Sequence, residues 1–344
     1  MKTVLKYVKA YALAILSPVA LMLVLLLVSP ETRSWAAVWN VIRQSLAPAV
    51  LGMGVLFNMK IGNWDFSIGA RVVLTTILAG NFAMQITTAL GLGVAGFVPV
   101  LIILSVLIGI VLGVIVGAAY YFLQIPTLIV SIGLMLIMES FTRILFNGAG
   151  THISPGYMVL GKTPWDLILF AVAFVFASIL YYKRKIGYSV RAVGSNPVVA
   201  KTNGINPKFL KAEALAVSGI FAGLYSLMSL SATGVQSAVQ GTMGSAAAVF
   251  DAMMCVLIGM SIAGKGNIMF GVFAGAVVAQ ILKMGMMAIG LPTTFNKVVI
   301  GVFVVIFMVG SSRSDLFRKL GDKIRGLFRK SGRKTDCEEP DTNA

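Results

Sequence analysis

Phe97-Val-Pro-Val-Leu-Ile-Ile-Leu-Ser-Val-Leu-Ile-Gly-Ile-Val-Leu-Gly-Val-Ile-Val-Gly-Ala-Ala-Tyr-Tyr-Phe122 runs 26 residues without a charged side chain. As a helix it would be about 39 Å long, enough to cross a hydrocarbon layer of about 30 Å. Other near-chargeless runs of similar length recur along a chain that is 58% hydrophobic and 12% charged, with a mean hydropathy of +0.92. So few charged groups cannot clothe a water-soluble surface. The sequence therefore predicts an all-α, polytopic transmembrane helical bundle.

Working outward, about ten spans can be drawn, near 10–28, 45–60, 67–88, 97–122, 126–146, 165–182, 211–230, 244–262, 268–290 and 294–310. The stretches 84–96 and 231–243 are rich in Gly, Thr and Ser and read as turns. Lys2, Lys6 and Lys9 precede the first apolar run. That run is long for a secretory signal and lacks a small-x-small cleavage pattern, so it reads as an uncleaved span. With both termini on the cytoplasmic side, 22 of the 28 basic residues fall on that side and three on the other. Basic residues are retained inside, which fixes the orientation and favours an even number of spans. The net charge of +16 is thus a record of topology, and nucleic acid is not an expected partner.

Residues 1–310 read as the transmembrane domain and 311–344 as a cytoplasmic tail. In that tail Leu316, Phe317, Leu320, Ile324, Leu327 and Phe328 alternate with Arg and Lys at helical spacing, a pattern suited to an anionic lipid surface. The residues after Asp336 carry the composition of a disordered end. Within the spans, glycines recur every fourth residue: Gly109, Gly113 and Gly117, Gly219 and Gly223, Gly271 and Gly275. Small residues on one helix face let backbones approach in lipid, so these are expected packing faces.

Several chemistries are disfavoured. Gly91-Leu-Gly93-Val-Ala-Gly96 satisfies a dinucleotide-binding pattern but lacks the strand that must precede it. Gly259-Met-Ser-Ile-Ala-Gly264-Lys265 begins like a phosphate loop, yet Gly266 stands where a Ser or Thr must hold Mg²⁺. The single histidine, His152, makes neither a metal site nor a triad. Cys255 lies in an apolar run and Cys337 in the polar tail, which gives no disulfide framework. The chain is expected to be a transport subunit without its own ATPase site, bound cofactor or metal.

Carboxylates at membrane depth are costly and therefore informative. Glu139 and Arg143 are four residues apart and can pair on one helix face. Asp251 has no evident local partner, and Lys283 is close enough to a span end to snorkel. The segment Lys60-Ile-Gly-Asn-Trp-Asp65-Phe-Ser67-Ile-Gly69-Ala-Arg71 joins two spans through glycines and a carboxylate. It reads either as an irregular helix break, which needs protein or water to cover it, or as a plain loop.

Asp65-Phe-Ser67-Ile-Gly69 resembles the Asp-Leu-Ser-Val-Gly element of the ribose-type permeases of ABC importers. Gly187-Tyr-Ser-Val-Arg-Ala192-Val-Gly194-Ser-Asn196-Pro-Val-Val-Ala200-Lys201-Thr-Asn-Gly204-Ile-Asn206 is similar to that family's cytoplasmic loop, and Ser261-Ile-Ala-Gly264-Lys265-Gly266 to its Gly-Lys-Gly turn. Order and spacing agree from about 46 to 310. Trp64 and Phe66 are bulkier than usual, Val198 replaces a common Glu, and Asn296 stands where Gln is usual. The turn is also one glycine short. These departures leave the solute open.

The resemblance implies a division of labour. Two permease subunits, identical or paralogous, pair in the bacterial inner membrane. Separate ATPase subunits using ATP and Mg dock beneath, and an extracytoplasmic binding protein delivers a sugar-like solute. The loop at about 183–211 would carry the coupling helix, with Asn196 as cap, Pro197 in the first turn and Gly204 at the end. Asp65, Ser67, Gly69, Glu139, Asp251 and Asn296 are the expected pathway residues, and Gly264, Lys265 and Gly266 a structural turn. A nucleoside is the next solute class. An ion-coupled secondary transporter using Glu139 and Asp251 is the alternative from another class.

Overall fold

A computed structural model of the chain describes residues 2–28, 33–263 and 266–290, with 292, 295, 298 and 302. The chain divides into two units, Met1–Lys297 and Val298–Ala344. The expected tail at 311–344, all of the last expected span but 295, 298 and 302, and Gly264, Lys265 and Asn296 lie outside the described residues.

The described part of the first unit is mostly helical: α1 Lys2–Val28, α2 Trp35–Lys60, α3 Ser67–Leu90, α4 Gly93–Leu123, α5 Thr127–Ile144, α6 Trp165–Lys183, α7 Lys185–Ser195, α8 Pro197–Thr202, α9 Pro207–Thr233, α10 Ala246–Ala263 and α11 Ile268–Ala288. Among the described residues eight of these, α2–α6 and α9–α11, are long and apolar enough to cross a membrane. In α1 the apolar helix Ala14–Leu27 is shorter. A two-residue ribbon pairs β1 Thr151–His152 with β2 Val235–Gln236, antiparallel.

Apolar exposure follows from lipid as solvent. Ile103, Leu107, Val111 and Val114 face outward on α4, while Gly109, Gly113 and Gly117 on its other side are packed against α9. A Cβ at Gly109 would lie 2.5 Å from the Gly219 carbonyl oxygen, and one at Gly113 2.8 Å from the Gly219 Cα. The same device joins α10 to α11, where a Cβ at Gly259 would lie 2.6 Å from the Val272 Cα. Backbones this close gain dispersion contact that larger side chains would prevent. The four-residue glycine spacing thus marks real helix seams.

Two expected turns are drawn differently. Helix α3 continues through Met84 to Leu90 and stops only where Gly91 adopts φ 64°, so the α3–α4 connection is Gly91 and Leu92. The glycine pattern there covers the two-residue connection and the first turn of α4, and the element directly before it is helix α3 rather than a strand. At 231–243, α9 continues to Thr233, and the chain beyond β2 does not simply turn back.

Helix α3 serves as a ruler for that segment. Its Gly80 abuts Thr151, which is paired with Gln236. Val239 packs on Val73 and Ile77, and Gly69 is so close to Ser245 that a Cβ there would overlap the Ser245 carbonyl oxygen. From Gly80 to Gly69 is about 16 Å of helix. Residues 237–245 therefore descend along α3 as irregular chain, and α10 starts deep within the bundle rather than at its edge.

Candidate functional site

The segment 185–202, which carries most of the loop motif, folds as two short helices. Helix α7 is amphipathic and buries Ile186, Gly187, Val190 and Val193. The Arg191 guanidinium lies over the rings of Tyr188, at 4.7 Å, and of Tyr181 and Tyr182, at 5.5 Å each. Gly187 and Gly194 are close-approach positions, against the carbonyls of Tyr181 and Lys60 respectively.

Asn196 Oδ1 accepts from Val198 N at 3.0 Å and Val199 N at 3.1 Å, capping α8, with Pro197 in the first turn. Gly204 follows at φ 82°, where a side chain would be strained. Asn206 then caps α9 by accepting from Lys208 N at 3.0 Å and Phe209 N at 3.4 Å. Ala192 and Lys201 are exposed and Ala200 is buried. Val198 and Val199 stand 70% and 53% exposed, an apolar knob on a six-residue helix. The Gly266 N–H donates to the Ala263 carbonyl at 2.8 Å, and Asn267 caps α11 through Met269 N at 2.9 Å.

The break between α2 and α3 is irregular and covered by protein. Asn63 is buried; its side chain donates to Asn58 Oδ1 at 3.0 Å and its N–H to the Asn58 carbonyl at 2.9 Å. Asp65 Oδ1 accepts from Ser67 N at 3.0 Å and Ser67 Oγ at 2.6 Å, while Oδ2 pairs with Arg71. Arg71, fully buried, also donates to the Leu215 carbonyl and to Ser218 Oγ, both at 3.1 Å. Leu215 lies eight residues into α9, about 12 Å along the helix. This charge pair is therefore well inside the bundle and ties the break to α9. Removing either partner would leave an uncompensated charge there.

Glu139 and Arg143 do not pair with each other. Glu139 accepts from Met243 N at 2.9 Å, Ser245 N at 2.8 Å and Ser245 Oγ at 2.6 Å. Arg143 Nε donates to the Val239 carbonyl at 2.8 Å, and another of its nitrogens to that of Gly241. The Thr142 hydroxyl accepts from Val239 N at 3.1 Å. The descending segment makes no helix or sheet ladder, so its backbone groups offered both residues better partners than each other. One face of α5 grips segment 239–245, and the carboxylate sits at the positive end of α10. Gln240, Gly241, Thr242, Met243 and Gly244 remain exposed. Exposed irregular backbone at this depth requires a polar cavity or protein, not lipid.

Asp251 does have a partner: Lys283 Nζ lies 2.6 Å from its Oδ2. Lys283 therefore does not snorkel; α10 and α11 run antiparallel and bring the two charges together across 32 residues. Residues 37–308 match the family model described as branched-chain amino acid transport system / permease component. The chain belongs to that permease family.

The permease is 25% identical over 336 residues to the galactose/methyl galactoside import permease protein MglC of Escherichia coli (strain K12), covering 92% of this chain and 98% of the relative. It is 22% identical over 320 residues to the ribose import permease protein RbsC of the same strain, covering 87% and 94%. It is also 26% identical over 318 residues to the galactofuranose transporter permease protein YtfT of that strain, covering 86% and 88%. The family is one of transport components, and the permease is a multi-pass membrane protein.

The structure brings Ser67, Asp65 and Arg71 into one cluster and Glu139 with Gly69 beside Ser245, while Asp251 sits separately on α10. By sequence, 231–243 reads as a turn and 244 as the start of a span, so residues 237–245 entered no candidate site. Gln240-Gly-Thr-Met-Gly244 supplied a signal, two glycines beside polar residues immediately before an apolar run, but it is the same signal a surface turn gives.

Proposed function

We propose that this chain is the membrane subunit of an ATP-driven importer that moves a neutral sugar-like solute, ribose or another monosaccharide, into a bacterial cell across the inner membrane. The observation that carries the reading is segment 237–245, irregular and at depth, with Gln240–Gly244 exposed and its backbone held by Glu139, Thr142 and Arg143. Such backbone suits the wall of a solute route, because a passing hydroxyl group can exchange hydrogen bonds with it. In this reading the route passes Gln240–Gly244, and the Asp65–Arg71 pair anchors the neighbouring break. The N- and C-termini lie in the cytoplasm, and about ten spans cross the membrane.

Separate ATPase subunits, which bind the ATP and Mg, dock on α7–α8, with Val198 and Val199 entering a groove on the ATPase. A second permease subunit, identical or paralogous, completes the route, and an external binding protein supplies the solute. ATP-driven closure of the ATPases then moves the spans as rigid bodies. The names of the galactoside, ribose and galactofuranose relatives support a sugar; a nucleoside is the second candidate. An ion-coupled carrier is less well served, because Glu139 and Asp251 are already engaged by protein donors.

The test is uptake by the reconstituted complex in vesicles. ATP inside the cytoplasmic compartment should drive it, and collapse of proton and sodium gradients should leave it unchanged. In the same vesicles Gly194→Leu, which thrusts a side chain at the Lys60 carbonyl, should insert normally and lose solute-stimulated ATP hydrolysis. Uptake that follows an ion gradient without ATP would overturn the importer reading.

A further inference from the structure

A cavity of about 220 Å³ lies between α2, α9, the start of α6 and the turn before it. That is space for about seven waters at ~30 Å³ each, or one small solute. Leu46, Ala47, Leu160 and Met228 supply apolar lining, and Asn40, Arg43, Gln44 and Asp166 its polar side chains. Apolar walls with a few converging polar groups are the composition of a small-molecule site.

The polar groups are ordered. Arg43 Nε donates to Asp166 Oδ2 at 2.7 Å and its NH2 group to the Gly161 carbonyl at 2.6 Å. This pair cancels its own charge, which disfavours an ionic ligand. Gln44 accepts from Gln280 of α11, whose neighbour one turn on, Lys283, pairs with Asp251. The cavity thus opens onto a belt of polar groups running from α6 across α2 and α11 to α10. Among the described residues the Asn40 amide makes no hydrogen bond, and the Gln44 side-chain nitrogen donates none. Both residues are exposed, and Gln44 lies nine residues below the start of α2, about 14 Å along it. Arg43, between them on α2, meets the connection before α6 and its first-turn Asp166, so both amides lie at the level where α6 begins and are open to water or a polar ligand.

We infer that this cavity is a binding station for a neutral, polyhydroxylated solute, entered from the extracytoplasmic side. The free amides of Asn40 and Gln44 and the outer edges of the Arg43–Asp166 pair hydrogen-bond its hydroxyls. Leu46, Leu160 and Met228 take its C–H face. The station rests on the importer reading and places a second solute contact upstream of segment 237–245.

The experiment introduces Gln44→Cys, and separately Ala47→Cys, into a permease carrying Cys255→Ser and Cys337→Ser, expressed with its ATPase subunits in intact cells. A membrane-impermeant thiol reagent is applied outside, with and without D-galactose or D-ribose. Both cysteines should be labelled. One of the sugars, at four times its dissociation constant, should slow labelling about fivefold by occupancy. Ala36→Cys, exposed at the outer end of α2, should label at one rate throughout.

Labelling that neither sugar slows, at either position, overturns the station, as does failure of both cysteines to label. ATP-driven uptake without protection would remove the station and leave the importer reading intact. Protection without ATP-driven uptake would do the reverse.

Discussion

Replacing Glu139 should disconnect α10 from α5. The carboxylate is 1% exposed and accepts three hydrogen bonds, two from backbone N–H groups that have no helix or sheet partner. Glu139→Ala leaves the buried N–H of Ser245 unsatisfied at about 1–3 kcal/mol, while the N–H of the exposed Met243 can turn to water. Glu139→Gln is the informative companion. Its amide oxygen can still serve Ser245 N and Oγ, but its nitrogen then faces Met243 N, donor against donor. The displaced Met243 N–H is exposed and can turn to water, so the loss should be smaller than that of the alanine variant.

The assay pairs solute uptake with thiol labelling at Thr242→Cys in the background free of other cysteines. Both variants should reach the membrane. Uptake should fall in the order wild type, Gln, Ala, and Thr242→Cys should label progressively faster as the segment loosens. Wild-type uptake and labelling in Glu139→Ala would refute the assignment of Glu139 as the group that holds this segment.

Two further outcomes test the scaffold. Gly113→Val should separate α4 from α9, since even a Cβ would sit 2.8 Å from the Gly219 Cα; overpacking of about 1–3 kcal/mol should appear as lower thermal stability in detergent. Asp65→Ala should cost about 3–5 kcal/mol by leaving Arg71 unpaired, and the double variant Asp65→Leu/Arg71→Met should recover part of it. A double variant less stable than Asp65→Ala in thermal unfolding would contradict that account.

Features governed by neighbours in the chain were legible in advance. Asn196 before Pro197 caps its helix as the sequence order requires, because a cap bonds backbone two or three residues away. Gly109, Gly113 and Gly117 announced a close helix contact, although the sequence did not say that α9 would supply it. The carboxylates were harder. Glu139 had Arg143 one turn away, the partner that helical spacing favours, and both residues turned instead to backbone about a hundred positions further on. Asp251 had no local partner because its partner comes on the next antiparallel helix.

The sequence by itself determined the solvent: apolar runs of bilayer length force helices. Only the tertiary structure decided where a connection stops being a surface turn. Hydropathy along residues 231–245 is the same whether the chain stays at the membrane edge or descends about 16 Å beside α3. The choice was made by Gly69, which leaves room for Ser245, and by Glu139, which offers its backbone an acceptor at depth. Both belong to other helices, and packing between distant segments leaves no periodic mark on either.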